Sequence, residues 1–371
     1  MSDKNIFSSF LSSVFKLFLN VDKVNSSDVG TPKNILVVRQ HNQFGDLLAS
    51  VSLFRAIKES FPDSVLTVIV SPDNYYAITK NKFINKFFVF DKKKLFSPAY
   101  FKEFQDLLNK PYDLTIVPAT VSVSSTSCLI ARFANSKIRI GPSSLNGKTN
   151  SYAFLFDRRV ALDWRKYPDS HISDFGLDIL RPFGIKTKDF TSEITFNGAD
   201  TKTADEFISS LNMEKDDLLI GIHVGAGKPP NRWALKNYLE LIDMLDNEFK
   251  TKFYFTGSNS DGNELNFIKK NIKAEAGYFM NKSIPELAAV ISKSDLFITN
   301  DTGVMHVAGS TSTPQISIFG PTNPFNWAPI GPKKFFIRKS ELIDDVKTEE
   351  VFNLCKLLID DKRKSLVENE N

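Results

Sequence analysis

The chain has 371 residues, 42% of them hydrophobic and 24% charged, which is enough for two globular domains of ordinary size. A formal net charge of +4 suits an anionic ligand or an anionic membrane surface. With no zinc-finger spacing and no basic-aromatic run of the nucleic-acid-binding kind, nucleic acid is not an expected partner. Cys128 and Cys355 are far apart and read as buried free thiols, the four histidines are scattered so that a metal cluster is unsupported, and no apolar run reaches the length of a membrane span.

Residues Ile6, Phe7, Phe10, Leu11, Val14, Phe15 and Phe18 recur at helical spacing, with serines and Lys16 on the other face. Two readings of this segment stand: a helix packed on the body of the protein, or a helix lying in a membrane surface. No cleavage site follows it, so a signal peptide is not expected. From Asn34 the pattern alternates. A strand over 34–38 leads through a loop to a helix over 47–60, and a strand over 65–70 closes a right-handed unit. Then come a helical stretch at 74–79, a strand at 86–90, a helix at 100–108, a strand at 112–117, a helix at 124–133 and a short strand at 137–140. Residues 141–161 read as irregular, 171–183 as a helix, and 192–196 as weakly extended, with helical character at 204–211. The pattern restarts with a strand at 218–224, a helix at 235–249, a strand at 252–255 and a helix at 264–272. Ser283 and Glu286 have capping-box spacing for a helix ending at Ser292. Strands at 295–299 and 315–319 follow, with a helix at 304–309 between them and a last helix over 348–359 that is expected to brace the first half. The fold class is α/β, with two similar doubly wound parallel sheets and a cleft between them.

Ligands in such sheets bind at the carboxyl ends of strands. Asp301, Thr302, Gly303 and His306 follow one strand end and Gly320-Pro321-Thr322 another, which points to a polar small-molecule site. Gly225-Ala226-Gly227 also follows a strand, where small residues let backbone N–H groups approach a phosphate, with Lys228 and Arg232 able to supply charge. An ordinary glycine turn is the competing reading. Thr256-Gly257 ends a neighbouring strand, and Glu264 beyond it is either a ribose ligand or an exposed acid at a helix start. Trp233 fits a core better than a stacking platform. Asp46, after Gly45, is either a favourable acid at a helix N-terminus or a general base. No D-x-D occurs, which argues against a carboxylate-held metal diphosphate.

In combination these residues resemble glycosyltransferase family 9, which includes the ADP-heptose:lipopolysaccharide heptosyltransferases, over roughly residues 33–335. The most specific part is Asn300-Asp-Thr-Gly-Val-Met-His306 with Phe319-Gly-Pro-Thr-Asn-Pro324 and Trp327. Gly45-Asp46, Phe54-Arg55-Ala56, Phe61-Pro62, Tyr112-Asp113-Leu114, Arg139-Ile140-Gly141, His171 with Leu177, Leu180 and Gly184, and His223-Val-Gly-Ala-Gly227 with Arg232-Trp233 support it in the same order. The resemblance implies a GT-B fold, with an N-terminal acceptor domain over 31–185 and a nucleotide-sugar-binding domain over 217–340; the residue pattern adds an N-terminal amphipathic helix and linker over 1–30, an inter-domain segment over 186–216 and a C-terminal helix and charged tail over 341–371. The resemblance further implies inverting, metal-independent transfer without a cofactor. Asp46 is then the base, Asp301 to His306 hold sugar and diphosphate, Gly225 to Gly227 hold the diphosphate, and the acid near Glu264 holds the ribose. The donor expected is ADP-heptose, the acceptor a glycolipid or glycan precursor, and the location the cytoplasm, with peripheral contact to the inner membrane. An epimerase on the same fold and a non-catalytic nucleotide-sugar binder are the alternatives. Two departures stand out: Asn231 lies where many members have Lys, and Pro118-Ala-Thr-Val-Ser-Val-Ser-Ser125 lacks the basic and glycine residues often found there.

Overall fold

A computed structural model of the chain describes residues 16–40 and 44–369, so most of the amphipathic segment expected at the N-terminus lies outside the described residues. The chain divides into two compact units, Met1–Phe190 and Thr191–Asn371. Among the described residues no helix is long and apolar enough to cross a membrane.

In the first unit β1 (Asn34–Val38), β2 (Val65–Val70), β3 (Lys86–Val89), β4 (Tyr112–Ile116), β5 (Ser136–Leu145), β6 (Lys148–Thr149) and β7 (Arg158–Leu162) form one seven-stranded sheet. Its order is β3-β2-β1-β4-β5, with β7 parallel and β6 antiparallel to β5. Helices α1 (Phe44–Ala49), α2 (Val51–Ser60), α3 (Pro98–Leu108), α4 (Ser125–Phe133) and α5 (Ile172–Phe175) connect the strands. The single helix expected over 47–60 is two, broken at Ser50, whose hydroxyl donates to the Asp46 carbonyl at 2.7 Å and competes with the helical ladder. The segment read as irregular contains half of β5, then β6 and β7. Asn146 and Gly147, at φ of 53° and 75°, make the left-handed turn of a hairpin, and the Asn-Gly pair is a strong sequence signal for it. The helix expected over 171–183 shrinks to four residues and a 3-10 turn, with Gly176 ending α5 and Pro182 inside the turn. No strand forms over 192–196.

The second unit starts with α6 (Gly198–Ser209). Its sheet is entirely parallel, in the order β10-β9-β8-β11-β12-β13: β8 (Leu218–His223), β9 (Thr251–Gly257), β10 (Ala276–Met280), β11 (Leu296–Asn300), β12 (Gln315–Phe319) and β13 (Lys334–Arg338). Between them run α7 (Leu235–Glu248), α8 (Gly262–Asn271), α9 (Ile284–Ser292), α10 (Gly303–Gly309) and α11 (Pro324–Trp327), and α12 (Thr348–Asn369) follows. This is the strand order of a dinucleotide-binding sheet, whose direction of winding reverses between β8 and β11. β11 and β12 are buried at every position, as strands covered on both faces must be, and this includes their polar residues Thr299, Asn300, Gln315 and Ser317. β10 and β13 are the edges, too exposed to show that signature, and the sequence reading passes over both. Ser283 and Glu286 form the expected capping box. Val351, Cys355, Leu358 and Ile359 of α12 join the core of the second unit, beside Tyr238, Leu241 and Leu245 of α7.

Candidate functional site

Three parallel strands of the second sheet end side by side: β9 at Gly257, β8 at His223 and β11 at Asn300. The loops beyond them carry most of the candidate residues, at the point where the winding reverses and helices leave in opposite directions. Asn300, which the sequence reading quotes in its most specific motif without assigning it a role, ties two of these ends together. It is fully buried, its Nδ2 donates to the carbonyls of Val224 at 2.9 Å and Gly225 at 3.3 Å, and its Oδ1 accepts from the Trp233 N–H at 3.2 Å and the Tyr238 hydroxyl at 2.8 Å. Trp233 is a core residue, edge-on to Tyr238 and with its indole N–H on the Val346 carbonyl.

The Gly225-Ala226-Gly227 loop is braced from its other side. Arg232 donates Nε to the Ala226 carbonyl at 2.8 Å and Nη1 to Glu264 Oε1 at 2.5 Å. The two side chains assigned separately to diphosphate and ribose are therefore engaged with each other. Gly225 is a position where a Cβ is excluded, because it would overlap the Asp261 carboxylate and press on His223. Asp261 itself accepts from the Ser258 N–H at 2.8 Å and closes the turn after β9. Thr256 is buried and binds His223 Nδ1 through its carbonyl at 2.9 Å. Burial lowers the His223 pKa, with Asp261 and the Thr256 carbonyl opposing, so the imidazole is neutral around pH 7.

On the β11 side, Asp301 is gripped by Asn231, whose Nδ2 donates to Asp301 Oδ2 at 2.8 Å and to its carbonyl at 3.3 Å. Burial raises the Asp301 pKa, against a hydrogen bond from Thr322 and the charge of Lys228. Lys228 and Gly227 are exposed and Asn231 is buried. Thr302 stands at the N-cap of α10, Gly303 opens that helix, and His306 is buried within it. The structure thus assembles Gly225 to Lys228, Arg232, Thr256, Gly257, Glu264 and Asp301 to His306 on one sheet edge, and gives Asn231, Asn300 and Thr322, named in the sequence without a role, contacts within it.

Asp46 and Gly45 belong to the first unit, in α1 just beyond β1. Asp46 is buried at 2% exposure. Arg39, at the end of β1, donates to Thr120 Oγ1 at 3.0 Å and to Ser50 Oγ at 3.3 Å, and the Asp46 charge offsets part of the burial that lowers the Arg39 pKa. The same edge holds a cavity of about 490 Å3 lined by Gln40, Pro72, Asp73, Phe90, Asp91, Lys92, Lys93, Ser122 and Ser124. Several other motif residues are structural. Asp113 accepts from the N–H groups of Lys33 and Asn34 and from Lys137, and Leu177 and Leu180 are fully buried. Gly184 ends a turn at φ 74°.

Two Rossmann-like doubly wound sheets with this chain order define a GT-B fold, and solved structures bear this out. A glycosyl transferase family 9 protein from Veillonella parvula superposes with a TM-score of 0.76 at 20% identity, covering 90% of this chain and 99% of that one. The Escherichia coli ADP-heptose lps heptosyltransferase II superposes with a TM-score of 0.72 at 18% identity, covering 89% and 99%. In sequence, lipopolysaccharide heptosyltransferase 3 of Escherichia coli is 22% identical over 300 residues, 77% of this chain and 83% of that protein. The profile of glycosyltransferase family 9 (heptosyltransferase) matches residues 100–354, and the chain belongs to that family. It is a glycosyltransferase.

Proposed function

We propose that this enzyme transfers heptose from ADP-heptose to a lipopolysaccharide core or a similar glycolipid precursor on the cytoplasmic side of the inner membrane, with inversion and without a metal. The observation that carries the donor half is the assembly of Gly225 to Lys228 and Asp301 to His306 on one edge of the second sheet, held by Asn300 and Asn231. Names of the similar heptosyltransferases support the donor and acceptor class. The diphosphate lies against the Gly225–Gly227 loop, with Lys228 as its cation, while Arg232 braces the loop through Ala226 and Glu264. Glu264 still reaches the ribose through its remaining acceptor capacity. Asp301, oriented by Asn231, meets the sugar hydroxyls, and Thr302, Gly303 and His306 complete that wall.

Asp46 of the first unit takes the proton from the acceptor hydroxyl. The oxygen then attacks the anomeric carbon as the bond to the β-phosphate oxygen breaks, so the leaving group departs as ADP and the proton remains on Asp46. Backbone N–H groups and Lys228 stabilise the developing diphosphate charge in place of a metal, and positioning supplies much of the rate.

Calorimetric titration with ADP-heptose and a panel of other nucleotide sugars tests the donor assignment, and absence of binding by any of them refutes it. Mass spectrometry of the surface glycan with and without the protein tests the acceptor, through a missing heptose. An epimerase would instead convert the donor alone into a new nucleotide sugar visible by NMR, and a binding protein would leave both donor and glycan unchanged.

A further inference from the structure

The strand β3 leads into a 3-10 turn, Lys92–Phe96, at the rim of the first unit's cavity. The turn is firmly built. Asp91 accepts from the Lys93 N–H at 2.9 Å, the Ser97 N–H closes on the Lys94 carbonyl, and the Tyr100 hydroxyl links the Val89 carbonyl to the Asp91 N–H. Leu95 points inward, onto the cluster that contains Phe88, Phe90 and Phe104. Phe96 points outward and is 95% exposed, beside the exposed Lys92, Lys93 and Lys94. A rigid turn that spends no packing on its phenyl ring holds that ring out for something else.

The surroundings repeat the pattern. Leu19 and Leu129 pack on the same core cluster as Leu95, so the chain before β1, α4 and the turn cover one face of the sheet. From that cover Phe18 and Phe133 project outward, the first at 80% exposure, and Phe101 of the adjoining α3 is exposed as well. Glu103 and Asp106 of α3 and Asp22 and Asp28 before β1 are exposed acids of these segments, set against the exposed Lys16, Lys23 and Lys102 besides the three lysines of the turn; Asp73 lines the cavity, and Asp91 is turned back into the 3-10 turn. Separated aromatic side chains among flexible cations do not form the closely packed patch a folded partner needs, but they suit a lipid interface, where rings enter the headgroup layer and lysines meet its negative potential.

We infer that the Lys92–Phe96 turn is a docking element for an anionic lipid bilayer. It sets the first unit on the membrane with the cavity lined by Lys92 and Lys93 at the lipid surface. This goes beyond the transfer reaction and does not require it. If the acceptor is a glycolipid, the same contact brings that cavity to it.

The test is sedimentation of the full-length protein with vesicles of phosphatidylethanolamine and phosphatidylglycerol, against vesicles of phosphatidylcholine. Wild type is expected to partition at least about tenfold more strongly onto the anionic vesicles and to lose most of this at high salt. Phe96→Ser is expected to weaken partitioning on the order of tenfold. The triple change Lys92→Gln, Lys93→Gln and Lys94→Gln should weaken it at least as much. Both variants should keep the wild-type melting temperature, because these side chains are exposed. Wild-type binding by both variants overturns the inference, as does equal or no binding of the two vesicle types by wild type. Loss of binding only on deletion of residues 2–25 overturns it as well, by moving the contact to the N-terminal segment. Failure of the transferase reading would show in the nucleotide titrations, which need no vesicles.

Discussion

Replacing Asn300 with Leu tests whether the two halves of the donor edge are held together as described. The side chain is fully buried and its amide serves the Trp233 N–H, the Tyr238 hydroxyl and the carbonyls of Val224 and Gly225. Leucine has nearly the same size and no polar atoms, so the volume is kept while both donors lose their acceptor. Each orphaned buried donor costs about 1–3 kcal/mol, the carbonyls less because each has a second lone pair, and the added apolar surface returns about 1 kcal/mol. The net loss expected is about 3 kcal/mol in the second unit. For a unit of this size that lowers its thermal transition by about 6–12 °C. Scanning calorimetry of the full chain gives the transition, and titration with ADP gives the site, whose affinity should fall at least about tenfold as Gly225 is released. Tyr238→Phe alone should cost about 1 kcal/mol, and Asn300→Leu should cost about 1 kcal/mol less in that background, because no hydroxyl is then stranded. A single Asn300→Leu variant within about 1 kcal/mol of wild type, with unchanged ADP affinity, refutes the reasoning.

On the proposed mechanism, Asp46→Asn should lower kcat for heptose transfer on the order of 100-fold or more while leaving the calorimetric affinity for ADP unchanged, since Asp46 belongs to the first unit. Gly225→Ala should weaken ADP binding measured the same way, because a Cβ there overlaps the Asp261 carboxylate. Arg232→Lys should also weaken it, since an ammonium cannot span the Ala226 carbonyl and Glu264 in one plane as the guanidinium does. Asp113 supplies a pH test. The Lys137 ammonium first, then the Asn34 and Lys33 N–H groups, hold its pKa down at about 2. The folded value lies below the unfolded value of about 4, so the contribution is complete above about pH 4 and is lost as pH falls through about 2. Acid unfolding of wild type should therefore lose about 1–2 kcal/mol more across that window than unfolding of Asp113→Asn.

Much of the chain was legible from local pattern. The β-rich, largely apolar stretches of β8, β11 and β12, the capping box at Ser283 and Glu286, and the order of small and polar residues after each strand reflect constraints that act over a few neighbouring residues. Those constraints also carry the family resemblance, and with it the fold and the glycosyltransferase activity. What the sequence could not say was decided by partners distant along the chain. β10 and β13 are strands because a neighbouring strand offers them a ladder, though their own exposure pattern is weak. The last helix packs on the second unit's core because α7 and its sheet take the apolar face formed by Val351, Cys355, Leu358 and Ile359. Asn300 appears in the sequence as a motif residue without a role and Asn231 as a departure from the family's Lys, until Val224, Gly225 and Asp301 are seen beside them, and Arg232 and Glu264 look like two independent ligands until they meet. Periodicity reports whether a side chain is buried, but the choice of hydrogen-bond partner depends on which strand ends are adjacent, and only the tertiary fold sets that.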